Sequence, residues 1–121
     1  MIDGVKPSKG FRVPENFDEA CEVVLAAHDA KEVFVPVGGG TRLEVGHPLS
    51  KYDIALDMSY MNDVISYNPA DLTCTVQSGI TLSALQNNLR EYNQFLAVDG
   101  PKPDIATIGG TLASSAPGYL R

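Results

Sequence analysis

Two glycine clusters set the strongest limit on how this chain can fold. Val35-Pro36-Val37-Gly38-Gly39-Gly40-Thr41 follows an apolar run, and Ala106-Thr107-Ile108-Gly109-Gly110-Thr111-Leu112-Ala113 stands near the end of the 121 residues. Glycine has no Cβ, tolerates φ > 0 and lets successive N–H groups converge on an anion, so a glycine triplet that closes a strand is suited to cradling phosphate. A tight turn is the plain alternative, but one or two glycines satisfy a turn, and a third adds conformational-entropy cost that a turn does not require. The triplet fits neither G-x-G-x-x-G before a helix nor G-x-x-x-x-G-K-[ST], which argues against a nicotinamide-binding doubly wound fold and a nucleoside triphosphatase. For Ile108-Gly109-Gly110-Thr111, a loop of small residues packed between helix and sheet explains the composition as well as a ligand does. The two clusters together are more specific than either alone.

The segments between them alternate in type. Met1 to Gly10 is polar and without period, which reads as a leader arm, and Phe11-Arg12-Val13-Pro14 leads into a helix. Asn16 at the N-cap and Glu19 three residues on have capping-box spacing, and Phe17, Ala20, Cys21, Val24 and Leu25 form its expected buried face. Val33 to Val37 is a short β-branched and aromatic run, placed near a sheet edge by Pro36. Thr41 to Lys51 reads as a loop. Asp53 to Met58 alternates with Ile54, Leu56 and Met58 on one face, so it is a strand. Val64 to Tyr67 and Thr73 to Gln77 form a hairpin around Asn68-Pro69-Ala70-Asp71. Thr81 caps a second helix with Leu82, Leu85 and Leu89 at helical spacing, ending near Asn93. Pro101 and Pro103 stiffen a loop, and Thr107 to Arg121 is too rich in Gly, Ser and Ala for a core of its own.

Composition narrows the function. A net charge of -6 with only nine scattered Lys and Arg argues against a nucleic-acid face, although backbone amides of an acidic chain can still hold an anion. No run approaches the roughly 20 apolar residues of a membrane span, and the N-terminus lacks the apolar core of a signal peptide, so a cytoplasmic location is expected. Cys21 and Cys74 lack metal-ligand spacing and are expected as buried free thiols; no metal site is assigned.

The order of Pro36-Val37-Gly38-Gly39-Gly40-Thr41, Leu56-Asp57-Met58, Asp71 to Gly79, Leu82-Ser83-Ala84-Leu85-Gln86 and Ala106 to Thr111 resembles the FAD-binding domain of the p-cresol methylhydroxylase and vanillyl-alcohol oxidase superfamily. Within it, the chain looks most like the FAD-binding subunit of bacterial glycolate oxidase, a relative of D-lactate dehydrogenases, over roughly residues 12 to 121. The resemblance implies an α+β fold, a small mixed β-sheet flanked by helices. Residues 11–121 would form the first lobe of the domain, after a leader arm at 1–10. A second lobe and a cap domain belong to the family pattern, so the chain is expected to be a partial domain. The glycine loop would bind the FAD pyrophosphate through Val37, Gly38, Gly39, Gly40, Thr41 and Arg42. Pro101, Ala106, Thr107, Ile108, Gly109, Gly110, Thr111, Ala113, Ser114 and Gly118 would run along the pyrophosphate, ribityl and flavin region. Some members attach FAD through a His in the first loop; Thr41 stands there in this chain, which implies non-covalent FAD.

The activity so implied is flavin-dependent oxidation of a 2-hydroxy acid, of glycolate or D-lactate type, to the 2-oxo acid. Such chemistry needs a base for the hydroxyl proton. His28 ends the first helix on its apolar face, where packing or the helix C-terminus explains it, and His47 lies in a loop between Gly46 and Pro48. Asp53 and Asp57 share a face with Ala55 and read as a solvated or turn-bonded edge. No catalytic residue is assigned. Two other readings stay open: a cofactor-binding module without catalysis that acts with a partner oxidoreductase subunit, and an apo domain that self-associates through a patch of Ile105, Ile108, Leu112 and Leu120.

Overall fold

A computed structural model describes residue 2 and residues 4–115. Along the chain lie β1 (Phe11–Arg12), α1 (Phe17–Asp29), β2 (Phe34–Val37), β3 (Ile54–Asp57), β4 (Val64–Asn68), β5 (Thr73–Val76), α2 (Leu82–Arg90) and α3 (Ile108–Ala113). The α+β class matches the expectation, while the strands divide into two small sheets. One is parallel, in the order β1-β3-β2, and the other is the antiparallel β4-β5 hairpin.

Centrality of β3 explains its sequence. Paired in parallel with Phe11–Arg12 on one side and with β2 on the other, it buries Ile54, Ala55 and Leu56 on both faces, as strands of parallel sheets do. Phe11–Arg12 is therefore an edge strand rather than a lead into α1, and Ala55 is core rather than part of a solvated edge. Asp57 is turn-bonded as expected, whereas Asp53 is held by groups distant in sequence. Asp53 accepts from the Ser8 hydroxyl at 2.7 Å and the Val33 N–H at 2.9 Å, and Asp57 accepts from the Ser59 N–H at 2.9 Å. The segment read as a leader arm runs beside β3: Ser8 and Lys9 donate backbone hydrogen bonds to Tyr52 and Asp53, and Ile2 packs with Tyr52 and Ala55.

The N-cap of α1 forms as read, with Asn16 Oδ1 accepting from the Glu19 N–H at 2.9 Å. The Glu19 carboxylate reaches back to the Glu15 N–H and the Asn16 side-chain amide, not to the Asn16 backbone that the standard box would use. The buried face is turned from the one expected. Ala20 and Ala27 are buried, with Cys21 and Val23 partly covered, while Phe17 and Leu25 are exposed. Small residues let the helix approach closely on one side, and the large apolar ones point elsewhere.

A second core, Ile80, Leu85 and Leu89, joins α2 to the hairpin through Val64, Tyr67 and Val76 and to α3 through Ile108. The Thr81 hydroxyl caps α2 by accepting from the Ala84 N–H, and the helix stops at Arg90 because Asn93, at φ 55°, turns the chain and lets Gln94 N–H bond the Leu89 carbonyl. The outer face of the hairpin is open, so Cys74 is exposed, contrary to the expected core thiol; Cys21 is partly buried and both are free. Residues 108–113, expected as irregular, form a helical turn and a half. Thr107 caps it, and its first amides are held by the Ile80 and Ser78 carbonyls at 2.9 and 2.8 Å. Ile108 thereby enters the core, leaving Ile105 and Leu112 as the exposed part of the patch anticipated there; Leu120 lies outside the described residues. Among the described residues no helix is long and apolar enough to cross a membrane.

Candidate functional site

Parallel pairing of Val37 with Asp57 brings the glycine triplet to the carboxyl end of the sheet, where open α/β sheets place their ligands. There it meets the second cluster. A Cβ on Gly38 would overlap Thr107 Oγ1, and one on Gly39 would overlap the Ile105 carbonyl oxygen and lie 2.6 Å from its carbon. Gly40 faces open space but has φ +66°, the left-handed region. Each glycine of the triplet thus has a reason within the protein itself.

The two loops enclose a cleft of about 250 Å³ lined by Gly38, Gly39, Gly40, Thr41, Arg42, Thr107, Gly110, Ala113 and Ser114, with Pro36, Leu43 and Val45 as apolar walls. The two sides differ in what they offer. On the first, the backbone N–H groups of Gly38, Gly39, Gly40, Thr41 and Arg42 have no hydrogen-bond partner among the described residues. Five consecutive free donors beside a guanidinium that is itself unpaired among those residues make an anion-binding concavity. On the second side the amides are taken. Ile108 and Gly109 donate to Ile80 and Ser78, Gly110 to Thr107 Oγ1 at 3.2 Å, and Thr111 to the Thr107 carbonyl at 2.9 Å. That segment supplies shape, and the Thr107 hydroxyl, which accepts from Gly110, keeps its own proton for a group in the cleft.

Of the other residues singled out, Val37 and Gly109 line an apolar cleft that adjoins the first and shares Pro36, Gly38, Thr107, Gly110 and Ala113 with it. Ala106 and Thr111 are buried beneath, and Ile108 packs on α2. Pro101 is an exposed turn residue on neither cleft, and Gly118 lies outside the described residues. Pro36, Leu43 and Val45 were not foreseen as lining, because apolar residues beside a loop carry no signal of which cavity they will face. His28 and His47 are exposed and apart from both clefts. Among the described residues the first cleft has no carboxylate, imidazole, thiol or phenol in its lining. Among the described residues no group of three His, Cys, Asp or Glu could hold a metal ion.

Comparison with known proteins places most of the chain in one family. The family described as "FAD binding domain" matches residues 8–121. A D-2-hydroxyglutarate dehydrogenase from Xanthomonas citri pv. viticola is 32% identical over 106 residues, which make up 88% of this chain and 22% of the relative. The mitochondrial D-lactate dehydrogenase [cytochrome] 1 of Saccharomyces cerevisiae is 35% identical over 109 residues, 87% of this chain and 18% of the relative. Among solved structures, an alkyldihydroxyacetonephosphate synthase superposes with a TM-score of 0.74 at 30% identity, covering 85% of this chain and 21% of that one. The chain thus spans about a fifth of the length of these relatives.

Proposed function

The chain belongs to the family of FAD binding domains, and from that premise we propose that residues 38–42, with Thr107, hold the pyrophosphate of non-covalent FAD in a flavoprotein that oxidises a 2-hydroxy acid to the 2-oxo acid. The observation that carries this is the run of five unpaired amides beside Arg42. Their N–H dipoles and the guanidinium supply the donors a diphosphate needs, beside apolar walls of Pro36, Leu43 and Val45. Among the described residues the lining holds no His, Cys or Tyr that could tether the cofactor covalently. Bound flavin would supply the hydride acceptor.

The substrate class follows the relatives, one named for D-lactate and one for D-2-hydroxyglutarate. The described lining of the cleft supplies no acid or base, so in this reading the proton-accepting group comes from elsewhere, such as a partner oxidoreductase subunit, and Ile105 and Leu112 offer apolar surface for association. Free thiols at Cys21 and Cys74 fit a reducing, cytoplasmic setting.

Titration with FAD, followed by quenching of flavin fluorescence, tests the cradle. ADP should compete and riboflavin, which has no phosphate, should not. Arg42→Ala should weaken FAD by roughly tenfold, the worth of a charge-assisted hydrogen bond of about 1.5 kcal/mol. Riboflavin binding as tightly as FAD, with Arg42→Ala indifferent, would refute the assignment.

A further inference from the structure

The apolar residues of α1 cover more of the helix than the sheet does. Phe17, Cys21, Val24, Leu25 and His28 recur at i, i+4, i+7, i+8 and i+11, one face of a helix. Because the buried positions of the helix are Ala20 and Ala27, most of that face is left open: Phe17 is 72% and Leu25 62% exposed. Val24 stands at the boundary and also lines the apolar cleft of Phe34, Pro36, Leu56 and Met58, so the stripe and the cleft form one continuous apolar surface. Along the other border of the stripe run Asp18, Glu22 and Asp29, exposed carboxylates with no hydrogen bond or ion pair among the described residues.

We propose that this face is a docking surface for a basic amphipathic helix of a partner protein. An apolar stripe with anchors at i, i+4, i+7 and i+8 is what a helix lying alongside another one fills. At about 1.5 Å per residue, the 13 residues of α1 reach roughly 20 Å, enough for three to four turns of a partner. The charge selects among partners. Lys or Arg set beside the partner's apolar face would meet Asp18, Glu22 and Asp29, whereas an acidic helix would meet like charge, and the net charge of -6 on this chain steers in the same direction. The docked helix would lie against the cleft that shares Pro36, Gly38 and Ala113 with the proposed pyrophosphate site, which places the partner at the rim of that site.

The test uses a fluorescein-labelled amphipathic peptide of Leu and Lys, about 18 residues long so that it can be helical, and its Leu and Glu counterpart of identical pattern. Binding is read by anisotropy. The Lys peptide is expected to bind and the Glu peptide not. Leu25→Asp, which adds negative charge but removes an anchor, should weaken the Lys peptide by at least about tenfold, and Asp18→Asn with Glu22→Gln should flatten its salt dependence. These residues are exposed, so unchanged circular dichroism should accompany each variant. Equal binding of both peptides, or indifference to Leu25→Asp, would overturn the proposal. So would concentration-dependent dimers of the chain alone that Leu25→Asp abolishes, because the occupant would then be a second copy.

Discussion

Gly38 and Thr107 are the point at which the two halves of the cleft touch, and a double-mutant cycle between them would measure how tightly. Gly38→Ala places a methyl where Thr107 Oγ1 now sits, and forced overpacking of this kind costs roughly 1–3 kcal/mol. Thr107→Ala removes the acceptor for the Gly110 N–H, a lost N-cap worth about 1 kcal/mol. Made together, the changes should not add. With Oγ1 gone, the nearest remaining side-chain atom to the new methyl is Thr107 Cβ at 3.3 Å, a contact that a few tenths of an ångström relieve. The double variant should therefore be little less stable than Thr107→Ala alone, with a coupling of about 1–2 kcal/mol between the sites. Urea unfolding followed by far-UV circular dichroism resolves this, since slopes of about 1–3 kcal/mol per molar turn such a coupling into a shift near 1 M. Gly39→Ala is the control. Its methyl meets the Ile105 carbonyl, which is backbone, so Thr107→Ala cannot rescue it and that pair should be additive. Strict additivity in the Gly38 cycle would refute the close approach and, with it, the shape assigned to the cleft.

Asp53 is held below the ordinary carboxylate pKa, first by the Ser8 hydroxyl and then by the Val33 N–H. A depressed folded pKa contributes stability above the unfolded value, near 3.9, that is lost as pH falls through the folded one. Asp53→Asn should therefore flatten the acid limb of a stability-against-pH curve below about pH 4, and an unchanged limb would remove Asp53 from the account. Leu72 closes the β4-β5 turn at φ 56° while 76% exposed. Leu72→Asn, a residue that tolerates this conformation, should stabilise the chain by about 0.5–1 kcal/mol, and a lower midpoint in urea would show that the leucine side chain matters more than its backbone.

What could be read from the residues was whatever short-range chemistry decides. Asn16 and Thr81 cap their helices because a side-chain oxygen reaches an amide three residues on, a geometry that needs no tertiary partner. The β4-β5 hairpin follows from Asn68-Pro69-Ala70-Asp71, where Asn68 bonds both the Asp71 carboxylate and the Ala70 N–H. Orientation was harder. The apolar positions of α1 define a face, but the side that is buried is that of the small Ala20 and Ala27, a choice that depends on packing with residues far away in sequence. Phe11–Arg12 is too short to have a period, and its pairing to Ala55 and Leu56 exists only once β3 is central. In α3, two glycines should oppose a helix by about 1 kcal/mol each; the Thr107 cap and the Ile80 and Ser78 carbonyls override that local preference.

The glycine triplet drew attention for a reason that the fold replaces with a better one. Three glycines in a row suggested a ligand because a turn alone would not need them all. Yet Gly38 and Gly39 are required by Thr107 and Ile105, and Gly40 by its left-handed backbone, whether or not anything binds. The entropy argument for a ligand therefore dissolves, and a substitution such as Gly39→Val would part the two loops before it touched any phosphate. The case for an anion rests instead on Gly38 through Arg42 having five amides unpaired among the described residues, in a cleft walled by Pro36, Leu43 and Val45. A diphosphate in the cleft would give these donors charged acceptors, so FAD should raise the unfolding midpoint of the chain with the logarithm of its concentration over its Kd, and Arg42→Ala should shrink that rise while leaving the midpoint of the ligand-free chain in place.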